Sequence, residues 1–238
     1  MTANVASRRV LSPVSRMSFP KLLTPVQYQG KGEHYFSLEL LVNPVDLDQF
    51  RAAIPETGKS GLVDIRVLAS ELAQLKWPGI NVKEAVASGA LHWAIHNGDT
   101  HAAKKEAEGK DAEAYKGQRF IRTKTLAKYA PQLRWRDKDG TNYDLERGVP
   151  GDMDRARDLF VGGNYAYAEM TCEAKETPQG KFIVFYLNQV CYFKPGERLG
   201  TGSSLMDSEE YAGVTGGESD YDPTEGLGSK DFDDEIPF

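Results

Sequence analysis

Between Lys116 and Arg136 the chain carries seven basic side chains and no acid. They are Lys116, Arg119, Arg122, Lys124, Lys128, Arg134 and Arg136, with Phe120, Tyr129 and Trp135 set among them. Such cations neutralise phosphates and release the counterions condensed on a polyanion. Flat rings beside them offer faces on which bases stack. Neither interaction demands a base order, so the combination fits sequence-tolerant binding of a single strand. The plainer alternative is a solvated charged face with Phe120 in the core. Seven cations without one acid, in a chain of 35 acidic and 29 basic residues, favour the first reading.

A second set lies in the stretch 164–193. Two β-rich runs flank the turn ETPQG, a hairpin signal. Strand alternation puts Ala166, Ala168, Met170, Cys172 and Ala174 on one face and Tyr165, Tyr167, Glu169, Thr171 and Glu173 on the other. In the second run Ile183, Phe185, Leu187 and Phe193 form the apolar set, with Phe182, Tyr186, Asn188 and Tyr192 opposite. Outward rings on a sheet make a stacking platform; the competing reading is a second core layer.

The third set closes the sequence. From Asp207 to Phe238 there are 11 acids and one base, Lys230. Set against the chain's 35 and 29, that leaves residues 1–206 with 24 acids and 28 bases. A body of net charge +4 is thus joined to a tail of −10, an asymmetry that points to a polyanion-binding body. The end reads DFDDEIPF. Asp233, Asp234 and Glu235 before Ile236, Pro237 and Phe238 form a small docking ligand: an apolar tip for a pocket, with acids for the basic groups around it.

Other motifs carry less. His92 and His96 are four apart on an expected helix, but Trp93 stands where a zinc protease has Glu, so they read as ordinary histidines. Thr57-Gly58-Lys59-Ser60 is half a phosphate-binding loop, lacking the first glycine at Ala53 and a preceding strand. No paired-carboxylate, GxSxG or CxxC arrangement has supporting context. Cys172 falls opposite about residue 185 of the hairpin, not opposite Cys191, so two free thiols and a reducing cytoplasm are expected. No apolar run approaches the roughly 18 residues of a membrane span.

These residues need elements to position them. Ser15–Leu23 reads as a strand with an edge proline at Pro20. Tyr35–Val42 is a strand with Phe36, Leu38, Leu40 and Val42 on one face. Residues 44–116 turn helical: a short helix over Asp46–Ile54, one capped by Asp64 and stopped at Trp77-Pro78-Gly79, one opened by Asn81 and Glu84 and running to about Asn97, and one starting at Asp99 or Thr100. The period returns to two over Gln118–Leu126. Leu133–Arg136 and Thr141–Leu145 make a small hairpin, and Asp152 caps a helix over Met153–Phe160. After Gly200 the composition cannot bury enough apolar surface to order itself. Five principal strands with one helical excursion predict a mainly β fold with a helical insertion. The first choice is an OB-type five-stranded Greek-key barrel followed by a disordered acidic tail.

The tip DFDDEIPF resembles the C-terminal end of bacterial single-stranded DNA-binding proteins. The body resembles phage single-stranded DNA-binding proteins of the DUF2815 type through SRMSFPKLL (15–23), YFSLELLVNP (35–44), VGGNYAYAEM (161–170) and YLNQVCYFKPGERLG (186–200). That resemblance implies an OB-fold and a role in coating single strands during phage replication or recombination. It assigns no contact residues; chemistry and parity nominate Arg119, Arg122, Lys124, Lys128, Arg134, Trp135, Arg136, Tyr165, Tyr167, Phe182 and Tyr186.

The expectation is a non-enzymatic DNA-binding domain over 1–200, with its insertion at about 44–116 and a tail over 201–238. No cofactor or metal is expected. The partners are single-stranded DNA and, through the tip, replication or recombination proteins, in the cytoplasm (of a host cell if phage-encoded). The rivals are a metal-dependent phage nuclease, which needs clustered carboxylates, and an adaptor acting only through its tail.

Overall fold

The computed structural model describes residues 6–28, 31–54 and 62–199. The half phosphate loop at 57–60 and the whole tail lie outside the described residues.

The strands are β1 (Ser7–Leu11), β2 (Ser15–Tyr28), β3 (Lys31–Val42), β4 (Arg51–Ala53), β5 (Leu62–Asp64), β6 (Leu91–Trp93), β7 (Ile95–Asn97), β8 (Arg119–Leu126), β9 (Gln132–Arg136), β10 (Asn142–Leu145), β11 (Tyr165–Thr177) and β12 (Gly180–Lys194). The helices are α1 (Ile65–Lys76), α2 (Val82–Ala87), α3 (Gly98–Ala107) and α4 (Pro150–Leu159). The fold is mainly β. Five long strands pair in a circuit: β2 with β3, β3 with β8, β8 with β12, β12 with β11, and β11 back with β2. All these pairings are antiparallel except β8–β12, which is parallel at Lys124 and Tyr186. Along that edge of β12, β6 takes residues 181–183 and β9 takes 189–192, both parallel.

The hairpin β11–β12 carries the core by simple alternation. Ala166, Ala168, Met170, Cys172 and Ala174 are all buried. Each faces a larger partner on β12, for example Ala168 against Val190 and Cys172 against Phe185, so small and large side chains interlock. Leu38, Leu40 and Val42 of β3 and Leu68, Ala69 and Leu72 of α1 join the same core. Asp64 caps α1, its carboxylate accepting from the Arg66 backbone N–H at 2.8 Å. Both cysteines are free and buried.

Several expectations are corrected. Over 46–54 there is one 3-10 turn, Leu47–Phe50, followed by β4. Asn81 does cap a helix, but α2 ends at Ala87, and Gly89 follows in the left-handed region at φ 76°. The stretch to Asn97 is β6 and β7, held by pairing with β12 and β8. The insertion is therefore mixed, and two of its strands extend the sheet. α4 starts at Pro150, and Asp152 accepts from the Glu146 backbone N–H rather than capping. β2 lies between β3 and β11, but β11 pairs only with Ser15 and Arg16, so Pro20 stands beyond that pairing, as an edge proline, and in a bulge against β3.

A bulge on β12 changes the hairpin's parity. Glu169 pairs with Gln189 but Met170 with Leu187, leaving Asn188 extra. Beyond it Val190 is in the core and Tyr192 packs against it, while Phe193, expected inside, is exposed.

Candidate nucleic-acid interface

On β8 Ile121, Thr123 and Thr125 are buried. On the opposite face Phe120 is also buried, in a second apolar cluster with Leu41, Ala102, Ala112 and Tyr115, and Arg122 and Lys124 follow it as half-buried outward residues. The register sets them in rows across the circuit. Lys21 of β2 pairs with Ser37 of β3, Ser37 with Lys124, Lys124 with Tyr186 of β12, and Tyr186 with Thr171 of β11. The next row joins Ser18, Glu39 and Arg122. The Lys124 ammonium sits 3.8 Å from the centre of the Tyr35 ring. Burial, and then the neighbouring Arg122 charge, push the Lys124 pKa down to about 8. Tyr186 accepts from the Lys175 ammonium at 3.4 Å; burial, and then Glu173, push its phenol up to about 12.

Farther along β12 the outward face continues through Cys191. Cys191 pairs with Tyr167 on one side and Arg134 on the other. Tyr167 is half-buried and its pKa is pushed up to about 12, mainly by burial; the Arg134 and Arg136 charges work against that rise. Arg136 donates to the Gly140 carbonyl at 2.9 Å. Tyr165 lies at the end of this face, with Lys194 over its ring at 4.8 Å.

The cations of the basic run are less available than their sequence suggests, because the fold brings acids from elsewhere. Lys116 makes ion pairs with Glu106 and Glu113 at 2.7 Å each. Arg122 meets Glu39 at 3.0 Å, and the Tyr115 hydroxyl donates to the same carboxylate. Arg134 pairs with Asp144 of β10, which raises the guanidinium pKa and lowers the carboxyl. Arg119 and Lys128 are exposed at the two ends of β8, Lys128 in the 3-10 turn that follows it.

The structure thus gathers Arg122, Lys124, Arg134, Arg136, Tyr165, Tyr167 and Tyr186 along one continuous outer face of β8, β9, β11 and β12. Two candidates do not join them as open rings. Phe182 is 1% exposed and stacks on His92 of β6, ring centres 4.5 Å apart; the helix expected at 82–97 hid that cover. Trp135 points to the other side of β9, packed against the core with Tyr143 stacked on it at 5.0 Å and Arg155 over its ring. Two participants were missed. Tyr35 has the outward parity of β3, a signal that was legible. Lys21 takes its place only through the bulge in β2.

Among the described residues no three His, Cys, Asp or Glu side chains converge as a metal site, and no helix is long and apolar enough to cross a membrane.

This strand circuit with a cationic, aromatic outer face shares its fold with a phage single-stranded DNA-binding protein. The solved structures in question are of the single-stranded DNA-binding protein from bacteriophage Enc34. A C-terminal truncation of it matches with a TM-score of 0.55 at 17% identity, over 83% of this chain and 95% of that one. Its complex with single-stranded DNA matches at 0.53 and 20% identity, over 81% and 89%. The protein alone matches at 0.51 and 20%, over 85% and 89%. No family model matches the chain, and no curated protein matches its sequence.

Proposed function

We propose that this chain is a sequence-nonspecific single-stranded DNA-binding protein of phage replication or recombination, and not an enzyme. Its body, residues 1–200, is read as an OB-type barrel. The five-strand circuit, closed by one parallel pair, supports that reading. The observation that carries the reading is the row Lys21, Ser37, Lys124 and Tyr186, with Tyr35 beneath Lys124. It sets two cations suited to phosphates in line with the Tyr186 ring, which can stack a base, and neither interaction reads base edges. The fold shared with a protein solved on single-stranded DNA supports it. The acidic tail, 201–238, is read as a recruiter of replication proteins through Ile236, Pro237 and Phe238, in the cytoplasm of a host cell.

The test is a titration of fluorescent oligo-dT against a matched duplex. The reading expects tighter binding to the single strand, weakened by Lys124→Ala and Tyr186→Ala. No binding to oligo-dT by the intact protein overturns it.

A further inference from the structure

Phe19 is the one non-glycine residue in the left-handed region among the described residues, at φ 41°. The residue is 60% exposed. Both facts follow from the bulge in β2. Ser18 pairs with Glu39 and Lys21 with Ser37, so Phe19 and Pro20 together stand against Leu38 alone. Without the extra residue, alternation from the buried Met17 would send Phe19 into the core. With it, Leu22 takes the inward place, and Phe19 is turned out on strained backbone. A buried phenylalanine is the default in a strand, so a strained, outward one is a feature the surrounding structure maintains.

Beside this ring lies a cleft of about 420 Å³. Pro20, Leu23, Phe160 and Val161 give it apolar walls, and Tyr115 lies nearly parallel to Phe19, ring centres 6.3 Å apart. The cleft meets the outer face at Lys21, and beneath the surface the buried Tyr115 shares a hydrogen bond with Ser18 and donates to Glu39, the partner of Arg122. Lys21, on its rim, is the first member of the Lys21–Ser37–Lys124–Tyr186 row. Three strand spacings separate Lys21 from Tyr186, roughly 14 Å. Charges fix what enters. Asp111 and Glu113 border the cleft on the Tyr115 side, Glu113 paired with Lys116, and Arg157, paired with Asp154, borders it as well; Lys21 stands on β2 to hold a phosphate. A largely apolar cleft with a flat ring, in which Glu113 and Arg157 are already paired and Lys21 stands at the rim, accepts an uncharged aromatic group whose phosphate stays on Lys21.

We propose that Phe19 and its cleft are a nucleobase subsite, receiving an unstacked base of the strand whose backbone runs over Lys124 and Lys21. This rests on the DNA-binding reading and adds a terminus to the path that reading describes.

The test uses the full chain with Phe19→Ala, Phe19→Trp and, as reference, Tyr186→Ala, each titrated with fluorescent oligo-dT and melted thermally. Phe19→Ala should weaken binding about 5- to 150-fold, the loss of one stacked base. Its melting temperature should hold or rise, since an exposed ring is lost. Phe19→Trp should keep the affinity, and its added emission should be quenched as oligonucleotide saturates. Wild-type affinity in Phe19→Ala, or unquenched emission in Phe19→Trp, overturns the subsite. If Tyr186→Ala loses affinity while Phe19→Ala does not, only the subsite fails. If the intact protein does not bind at all, the parent reading fails with it.

Discussion

Lys124 is the residue whose behaviour is most specific to this fold. Its folded pKa of about 8 lies below the ordinary 10.5, so between those values the unfolded chain holds a proton that the folded chain has released. Stability therefore rises with pH across that window, and Lys124→Met should flatten the rise in melts taken from pH 7 to 10. DNA affinity runs the other way. A phosphate beside Lys124 favours its charged form, so the complex takes up a proton and binding weakens as pH climbs from 7 to 9. Lys124→Arg keeps its charge throughout, and oligo-dT titrations on that variant should lose this pH slope. The aromatic candidates divide by burial. Tyr186→Ala should lose roughly 1–3 kcal/mol of binding with a modest change in melting. Phe182→Ala, emptying the space under His92, should instead lose about 3–5 kcal/mol of stability and leave the folded fraction's affinity intact. Pairing melts with titrations separates the two classes.

Among the elements, β9 and β10 extend the face through the pairing of β9 with β12, and one side chain ties the end of their hairpin to β2. Arg147 donates to the carbonyls of Leu22 at 2.7 Å, Leu23 at 3.2 Å and Pro131 at 3.1 Å, and stacks over Phe36. Its burial lowers its pKa, a cost that these bonds offset. Arg147→Ala leaves three carbonyls without their donor and should destabilise by on the order of 3 kcal/mol in denaturant melts. Arg147→Lys should recover little, because an ammonium cannot span the same fork. On the other side of the circuit, α3 starts at Gly98, where a Cβ would lie 2.1 Å from the Tyr115 carbonyl oxygen. Gly98→Ala should displace the 113–118 connection and with it the Tyr115–Glu39–Arg122 contact. It should lower both the melting temperature and DNA affinity, by about 1–3 kcal/mol of stability.

The charge of the whole chain sets how binding responds to salt. Each phosphate neutralised contributes a log–log slope of about −0.7 for a single strand. Arg122 and Arg134 already face acids, so removing Glu39 or Asp144 frees a cation. Asp144→Asn should steepen the salt slope and tighten binding at low salt, an unusual gain from deleting a hydrogen-bonded partner. The acidic segment 207–238 is proposed to act in the same sense as Asp144: tethered to residues 1–206 of net +4, it would compete with DNA at high effective concentration. Truncation after Leu205 should tighten oligo-dT binding, most at low salt where screening is weakest. Removing Phe238 alone keeps every acidic side chain, so it should leave DNA affinity in place and reduce partner recovery in pull-downs. Unchanged affinity on truncation rules out competition, and unchanged recovery without Phe238 rules out docking through the tip.

Local chemistry was enough for much of this molecule. Period-two alternation set the buried faces of β3 and β11, side-chain caps set the starts of α1 and α2, and the ETPQG turn set Cys172 opposite Phe185. Each depends on neighbours within a few residues. Tertiary structure decided what depends on partners far along the chain. Residues 91–97 are strands because β12 and β8 offer them backbone partners, against a local pattern that favoured a helix. Bulges at Phe19-Pro20 and at Asn188 reversed parity, which no alternation count reveals, and so turned Phe19 and Phe193 out. The run 116–136 holds no acid, yet Glu39, Glu106, Glu113 and Asp144 reach its cations. A sequence states which charges and rings exist. Whether a cation is paired or a ring is open depends on distances in space, which chain closure alone sets.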